Sequence, residues 1–251
     1  MITMMTENGV VQGRYKRVIA RWIGLGLVTL FLSVNALAQA GGAELQQKLA
    51  ALKQSAAANQ QRLHKYQWTE VQQVTYKGDT KPQQQFMCQY GPDGKVQKFP
   101  MSPQQQPSGG KLKQRIVEKK KDEMVQYMGQ VKSLLAMYVP PNPQKMQQAM
   151  QAGNVSLSRD AGAGLVNLTF KNYEQPGDQM VVAFDPNAKK IVNLNINTYM
   201  GETKDAVTLI VDFSSLPDGT NYAEKTVLNV AAKQIVVTTL NTNYHLFGAA
   251  Q

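Results

Sequence analysis

Residues 191–199 read Ile191-Val192-Asn193-Leu194-Asn195-Ile196-Asn197-Thr198-Tyr199. Val192, Leu194 and Ile196 alternate with three asparagines, which is the two-residue period of a β-strand with one apolar and one hydrated face. A strand wet on one side belongs to an antiparallel sheet, because parallel sheets are buried on both faces. Outward from this stretch, apolar runs at 165–170, 180–184, 207–213, 223–230 and 234–240 are separated by Pro176-Gly177-Asp178, Asp185-Pro186-Asn187, Gly201-Glu202, Pro217-Asp218-Gly219 and Ala231-Ala232-Lys233. Short turns between short strands predict a meander.

Further toward the N-terminus, 68–76, 86–90 and 96–99 form a second set of strands, the last two joined by the turn Gly91-Pro92-Asp93-Gly94. With a short strand at 155–157 the count is nine or ten, and an open sheet of that many twisted strands curls. Three helices are expected beside it. Leu45, Leu49, Leu52, Ala56, Leu63 and Tyr66 share one face of a helix over 44–66. A second helix running to Tyr138 carries Ile116, Met124, Met128, Val131 and Leu135 on one stripe, and Pro140-Pro141 stops it. Asn142 caps a short third helix with Pro143 at its first position, Met146, Ala149 and Met150 inward, and Gly153 at its end. The fold class is therefore α+β, a curved antiparallel sheet or incomplete β-barrel whose concave face is covered by an N-terminal helix and central helices.

Arg14, Lys16, Arg17 and Arg21 precede an apolar run at 22–34, followed by Ala36-Leu37-Ala38 and Ala38-Gln39-Ala40. A basic segment, a short apolar segment and small-residue sites predict a secretory signal peptide over 1–38, cleaved after Ala38 or Ala40. The run is shorter than the ~20 apolar residues of a membrane span. Residues 39–251 are then one half-barrel domain with a flexible loop at 101–110, rich in Pro, Gln and Gly. Of the net charge of +10, +7 stays with the domain, because residues 1–38 hold four basic residues and one acid. A single cysteine, Cys88, excludes an internal disulfide, and an exported chain without disulfides fits a bacterial periplasm or exterior. The 43% apolar content and mean hydropathy of −0.35 exclude a disordered chain.

Little in the residues points to catalysis. His64 and His245 have no partner at metal-ligand spacing, and no G-x-S-x-G, P-loop or G-x-G-x-x-G motif opening a helix occurs. Asp79, Asp93, Asp178, Asp185, Asp205 and Asp218 fall in expected turns, where carboxylates bond the local backbone. Cys88 lacks an activating neighbour. No enzyme, cofactor, metal or nucleic-acid partner is expected. Methionine fills irregular space, so Met124, Met128, Met146 and Met150, facing Phe86, Tyr90, Val192, Leu194 and Ile196 across a curled sheet, would line an apolar cavity. Lys119, Lys120 and Lys121 belong to a basic run that would attract anionic headgroups or an anionic membrane surface.

The long helix, strands opening on Tyr66-Gln67-Trp68, the Gly91-Pro92-Asp93-Gly94-Lys95 hairpin, central helices and a closing meander with Leu216-Pro217-Asp218-Gly219 resemble the periplasmic lipoprotein-carrier and outer-membrane lipoprotein-sorting (LolA/LolB-like) family. The resemblance implies a half-barrel with a helical lid over an acyl-chain cavity, carrying lipid or acylated protein without chemistry. It also implies an arginine on an early strand, whereas residues 67–101 contain none. Two functions follow: a soluble exported carrier or sensor of lipid, acyl chains or lipid-modified protein, or an envelope-assembly module with a packed core and no cavity.

Overall fold

The computed structural model describes residues 57–101, 111–160 and 162–248, together with 47, 50, 54 and 55. For residues 111–121 and 143 the backbone alone is described. The expected signal peptide and its cleavage sites, nine residues of the first expected helix and most of the 101–110 loop lie outside this set. The described residues from 51 onward fall in one compact unit.

Helical residues 57–63 form the visible end of α1. Tyr66 opens β1 instead of closing the helix, because it pairs with Leu246. The strands are β1 (Tyr66–Tyr76), β2 (Asp79–Thr80), β3 (Gln84–Tyr90), β4 (Val96–Pro100), β5 (Val155–Asp160), β6 (Leu165–Lys171), β7 (Gln179–Asp185), β8 (Lys190–Tyr199), β9 (Ala206–Ser215), β10 (Asn221–Val230) and β11 (Ile235–Leu246). Between β4 and β5 run α2 (Lys111–Leu135) and α3 (Pro143–Gln151). The sheet is antiparallel and unclosed, with order β4-β3-β1-β11-β10-β9-β8-β7-β6-β5 and β2 attached to β1. Eleven strands exceed the nine or ten expected because Asp79 lies in β2, and not in the turn assigned to it.

Alternation sorts the two faces. Leu168, Phe170, Met180, Val182, Phe184, Leu194, Ile196 and Val207 are buried on one side, while Asn195 and Asn197 face the other, where Asn193 donates to Asp212 at 2.8 Å. Over β6–β9 this inner face is a closed core completed by Val131 and Leu134 of α2, Tyr138 in the turn after it, and Met146 and Ala149 of α3. Burial of each such large side chain contributes about 1.5–3 kcal/mol. Toward β10, β11 and β1 the inner row Leu209, Leu228, Val237, Val74 is carried on by pairing, but Leu228, Val237 and Val74 are only half-buried.

Local chemistry sets the ends. Asn142 caps α3, its side chain accepting from Gln144 N at 2.9 Å and Lys145 N at 3.3 Å, and Gly153 leaves the helix at φ +72. Asp93, Asp160, Asp185 and Asp218 each accept backbone N–H groups two or three residues on.

Candidate functional site

A half-open groove of about 530 Å³ lies between α1, the segment after α2 and the inner face of the sheet. Val182 of β7, Leu194 of β8 and Phe213 of β9 form its floor, Leu63 of α1 one side, and Val139-Pro140-Pro141 another. Its mouth carries Arg62, Lys189 and Lys190.

Polar clamps hold the groove open. The Asn59 side chain imitates a peptide group: its amide donates to Asn221 O at 2.6 Å and its carbonyl accepts from Asn221 N at 2.6 Å. α1 is thereby fixed to the first residue of β10. Asn221 reaches on to Ile191 O at 2.8 Å, joining the starts of β10 and β8. Arg62 donates to buried Thr220 at 3.3 Å and to Asn59 at 3.3 Å. Beyond Thr220, Asp218 takes the Tyr66 hydroxyl at 2.8 Å. The Thr220 N–H first, with help from Tyr66 and Arg62, holds the Asp218 carboxyl below its usual range.

The Val139–Pro141 wall is positioned by a second cluster. Tyr138, fully buried, donates to Asp178 at 2.5 Å and shares a hydrogen bond with Thr198 at 2.8 Å. Asp178, 2% exposed, also accepts the N–H groups of Tyr173, Glu174 and Gln175 at 2.6, 2.9 and 2.9 Å. Four donors converge on one carboxylate, and burial, followed by this bond, pushes the Tyr138 phenol well up. Among the turn aspartates, Asp178 is thus an anchor of the core.

The sequence-derived residues divide. Leu194 and Tyr90 line the groove. Val192 does not, because a bulge between β7 and β8 pairs Phe184 with Ile191, so Ile191 takes the lining position. Ile196 and Met146 are buried in the closed core. Met150, Met128 and Phe86 are half-buried and line no part of the groove. Met124 borders a separate, polar cleft of about 710 Å³ with Tyr76, Lys77, Glu123, Tyr127 and Lys233. Lys119, Lys120 and Lys121 lie on α2 where the backbone alone is described. The methionine face therefore does not form one floor with the sheet: α2 reaches the ends of the strands, its Tyr127 bonding Asp205 in the β8–β9 turn at 2.8 Å.

Cys88 is fully buried beside Trp68 and next to the Lys98–Glu70 ion pair at 2.5 Å. Burial first, and Glu70 second, push its thiol up to about 11. His64 stacks on Tyr90 at 4.4 Å and His245 contacts Gln67 at 3.2 Å. Among the described residues no group of three or more His, Cys, Asp or Glu could hold a metal ion, and no helix is long and apolar enough to cross a membrane.

Arg62, Asn59 and Ile191 were not singled out from the sequence. A helix face read for apolar positions passes over the polar residues beside Leu63, and a bulge leaves no mark in an alternating pattern.

No family model matches the sequence, and no curated protein matches it. Two solved structures align over 82% of this chain and 95% of each of theirs. One is a DUF1329 family protein from Desulfovibrio piger, at 9% identity and a TM-score of 0.44. The other is an outer membrane lipoprotein-sorting protein domain from Vibrio parahaemolyticus, at 8% identity and a TM-score of 0.41.

Proposed function

We propose that this chain is an exported, non-enzymatic protein of the bacterial periplasm that holds an acyl chain, of a lipid or of a lipid-modified protein, in the groove beneath α1. The observation that carries this reading is a concave, half-open space floored by Val182, Leu194 and Phe213 and kept apart by the Asn59–Asn221 clamp instead of being filled by side chains. About a dozen methylenes removed from water would contribute roughly 10 kcal/mol. Ordering costs offset part of that, so an affinity between millimolar and micromolar is expected, about −4 to −8 kcal/mol.

Titration with a fluorescent fatty acid, with native mass spectrometry of protein purified from a bacterial envelope, tests the proposal. Saturable binding that weakens about tenfold in Leu63→Gln and Phe213→Gln supports it, since each change places an amide against the chain at about 1–3 kcal/mol. Both residues are half-buried, so the fold should survive. No saturable binding and no co-purified lipid would overturn it and leave an envelope-assembly role.

A further inference from the structure

The mouth of the groove has a sign. Arg62 from α1, Lys189 from the β7–β8 turn and Lys190 at the start of β8 all line the groove, and among the described residues no carboxylate does. The nearest acids are engaged locally: Asp185 accepts Asn187 N and Ala188 N at 2.8 and 3.0 Å, and Asp218 accepts Thr220 N, Thr220 Oγ1 and the Tyr66 hydroxyl. Two of the three cations hydrogen-bond neutral partners. Lys190 Nζ donates to Ser215 at 2.8 Å, and Arg62 places two of its N–H groups on Thr220 and Asn59. Among the described residues none of the three forms an ion pair, whereas Lys95, Lys98, Lys145 and Lys204 do.

Three cations lining one groove repel one another, neutral partners do not relieve that repulsion, and the Asp218 carboxylate, on which the Arg62 charge acts, offsets one charge of the three. An anion entering the mouth would relieve the rest. A guanidinium offers a planar fork suited to carboxylate or phosphate, with two ammonium groups beside it. The same groove is lined by buried Val182 and Leu194 and by Ile191, whereas Lys189 is exposed. From these positions we infer that the ligand is an anionic amphiphile, whose carboxylate or phosphate is held by Arg62, Lys189 and Lys190 while its chain lies on the floor of the groove. This rests on the acyl-chain reading and adds the charge of the headgroup to it.

The test compares decanoate, decyl phosphate and decanol, each below its aggregation limit, with inorganic phosphate as a fourth probe, by calorimetry on the full chain at low salt. Decanoate and decyl phosphate should bind at least about tenfold tighter than decanol, as hydrogen bonds to charged groups warrant. That advantage should shrink at high salt and fall about tenfold in Arg62→Gln and in the Lys189→Gln, Lys190→Gln double variant, with decanol affinity unchanged. The lysine pair lies at the start of β8, outside α1, so its replacement spares the α1 clamp if removal of Arg62 disturbs the helix. Equal binding of the three chain probes would overturn the headgroup assignment and leave the acyl groove standing. Binding of inorganic phosphate as tight as decyl phosphate would make the mouth a free-anion site and overturn the amphiphile. No binding of any chain probe would remove the acyl reading and this inference with it.

Discussion

Replacing Asp178 by alanine withdraws the acceptor of four hydrogen bonds at once, from the N–H groups of Tyr173, Glu174 and Gln175 and from the hydroxyl of Tyr138. The Tyr173 N–H and the Tyr138 hydroxyl are in fully buried bonds, and the other two are partly buried. A buried polar group left without its partner costs about 1–3 kcal/mol. Counting the buried Tyr173 N–H fully, the Tyr138 hydroxyl in part because it keeps Thr198, and letting water reach the others gives a loss of about 2–4 kcal/mol, a large share of the 5–15 kcal/mol typical of a domain. Asp178→Asn keeps one acceptor oxygen but turns an NH₂ toward donors, so it should lose about 2 kcal/mol or more. Tyr138→Phe removes only the hydroxyl and should lose about 1–2 kcal/mol. Urea unfolding by linear extrapolation measures all three, and the double variant should be less than additive because both residues share one bond. The Val139–Pro141 wall follows Tyr138 directly, so Asp178→Ala should also weaken binding of a fluorescent fatty acid. An Asp178→Ala protein within 1 kcal/mol of the parent, with unchanged binding, would refute the anchoring role.

Other expectations follow from the same geometry. Asn59→Leu removes both bonds to Asn221 and should cost about 1–2 kcal/mol, seen as faster amide exchange over residues 57–63 with β6–β9 unaffected. Met128→Asn should leave acyl binding unchanged, because Met128 lines no part of the groove; a loss of binding in a folded variant would restore the methionine-floored cavity. Cys88 should resist thiol reagents at pH 8 in the native protein and react at once after unfolding, as burial keeps its proton on up to about pH 11. The same shift has a stability sign. The unfolded thiol ionises near 9 while the folded one stays neutral, so stability is whole below pH 9 and declines toward 11, joined by Tyr127, which burial and Asp205 push up to about 12. At the acid end, the lowered carboxyl of Asp218 contributes stability above its ordinary 3.8 that is lost as pH falls below it. Denaturant midpoints across pH measure both ends, and a smaller alkaline decline in Cys88→Ala is the specific check.

The sheet was legible in the chain because alternation and turn residues are local signals. The asparagines of β8, the Gly91–Gly94 turn and the Asn142 cap each act within a few residues, and each forms where the pattern placed it. The wall of the groove was less legible because its parts are distant in sequence. Residues 59 and 221 meet only once β10 lies beside β9, and Ile191 replaces Val192 through a bulge that depends on β7. The methionine stripe illustrates the same limit. Periodicity gives the inward side of α2, but not which strands lie opposite, and α2 sends Met124 to the strand ends while Val131 and Leu134 enter the core.

The pairing of β1 with β11 bears on how the chain can fold as it emerges. Ten register positions link Tyr66–Tyr76 to the last strand, across the 158 residues from 77 to 234. A nascent chain can form β5–β10 by adding neighbours in order, but β1 and β3 have no place beside them until β11 arrives. Long-range closure of this kind is slow. Until then β1 and β10 both present open edges, the condition that invites pairing between chains. A chain cut before residue 235 would lack the strand that joins its two halves.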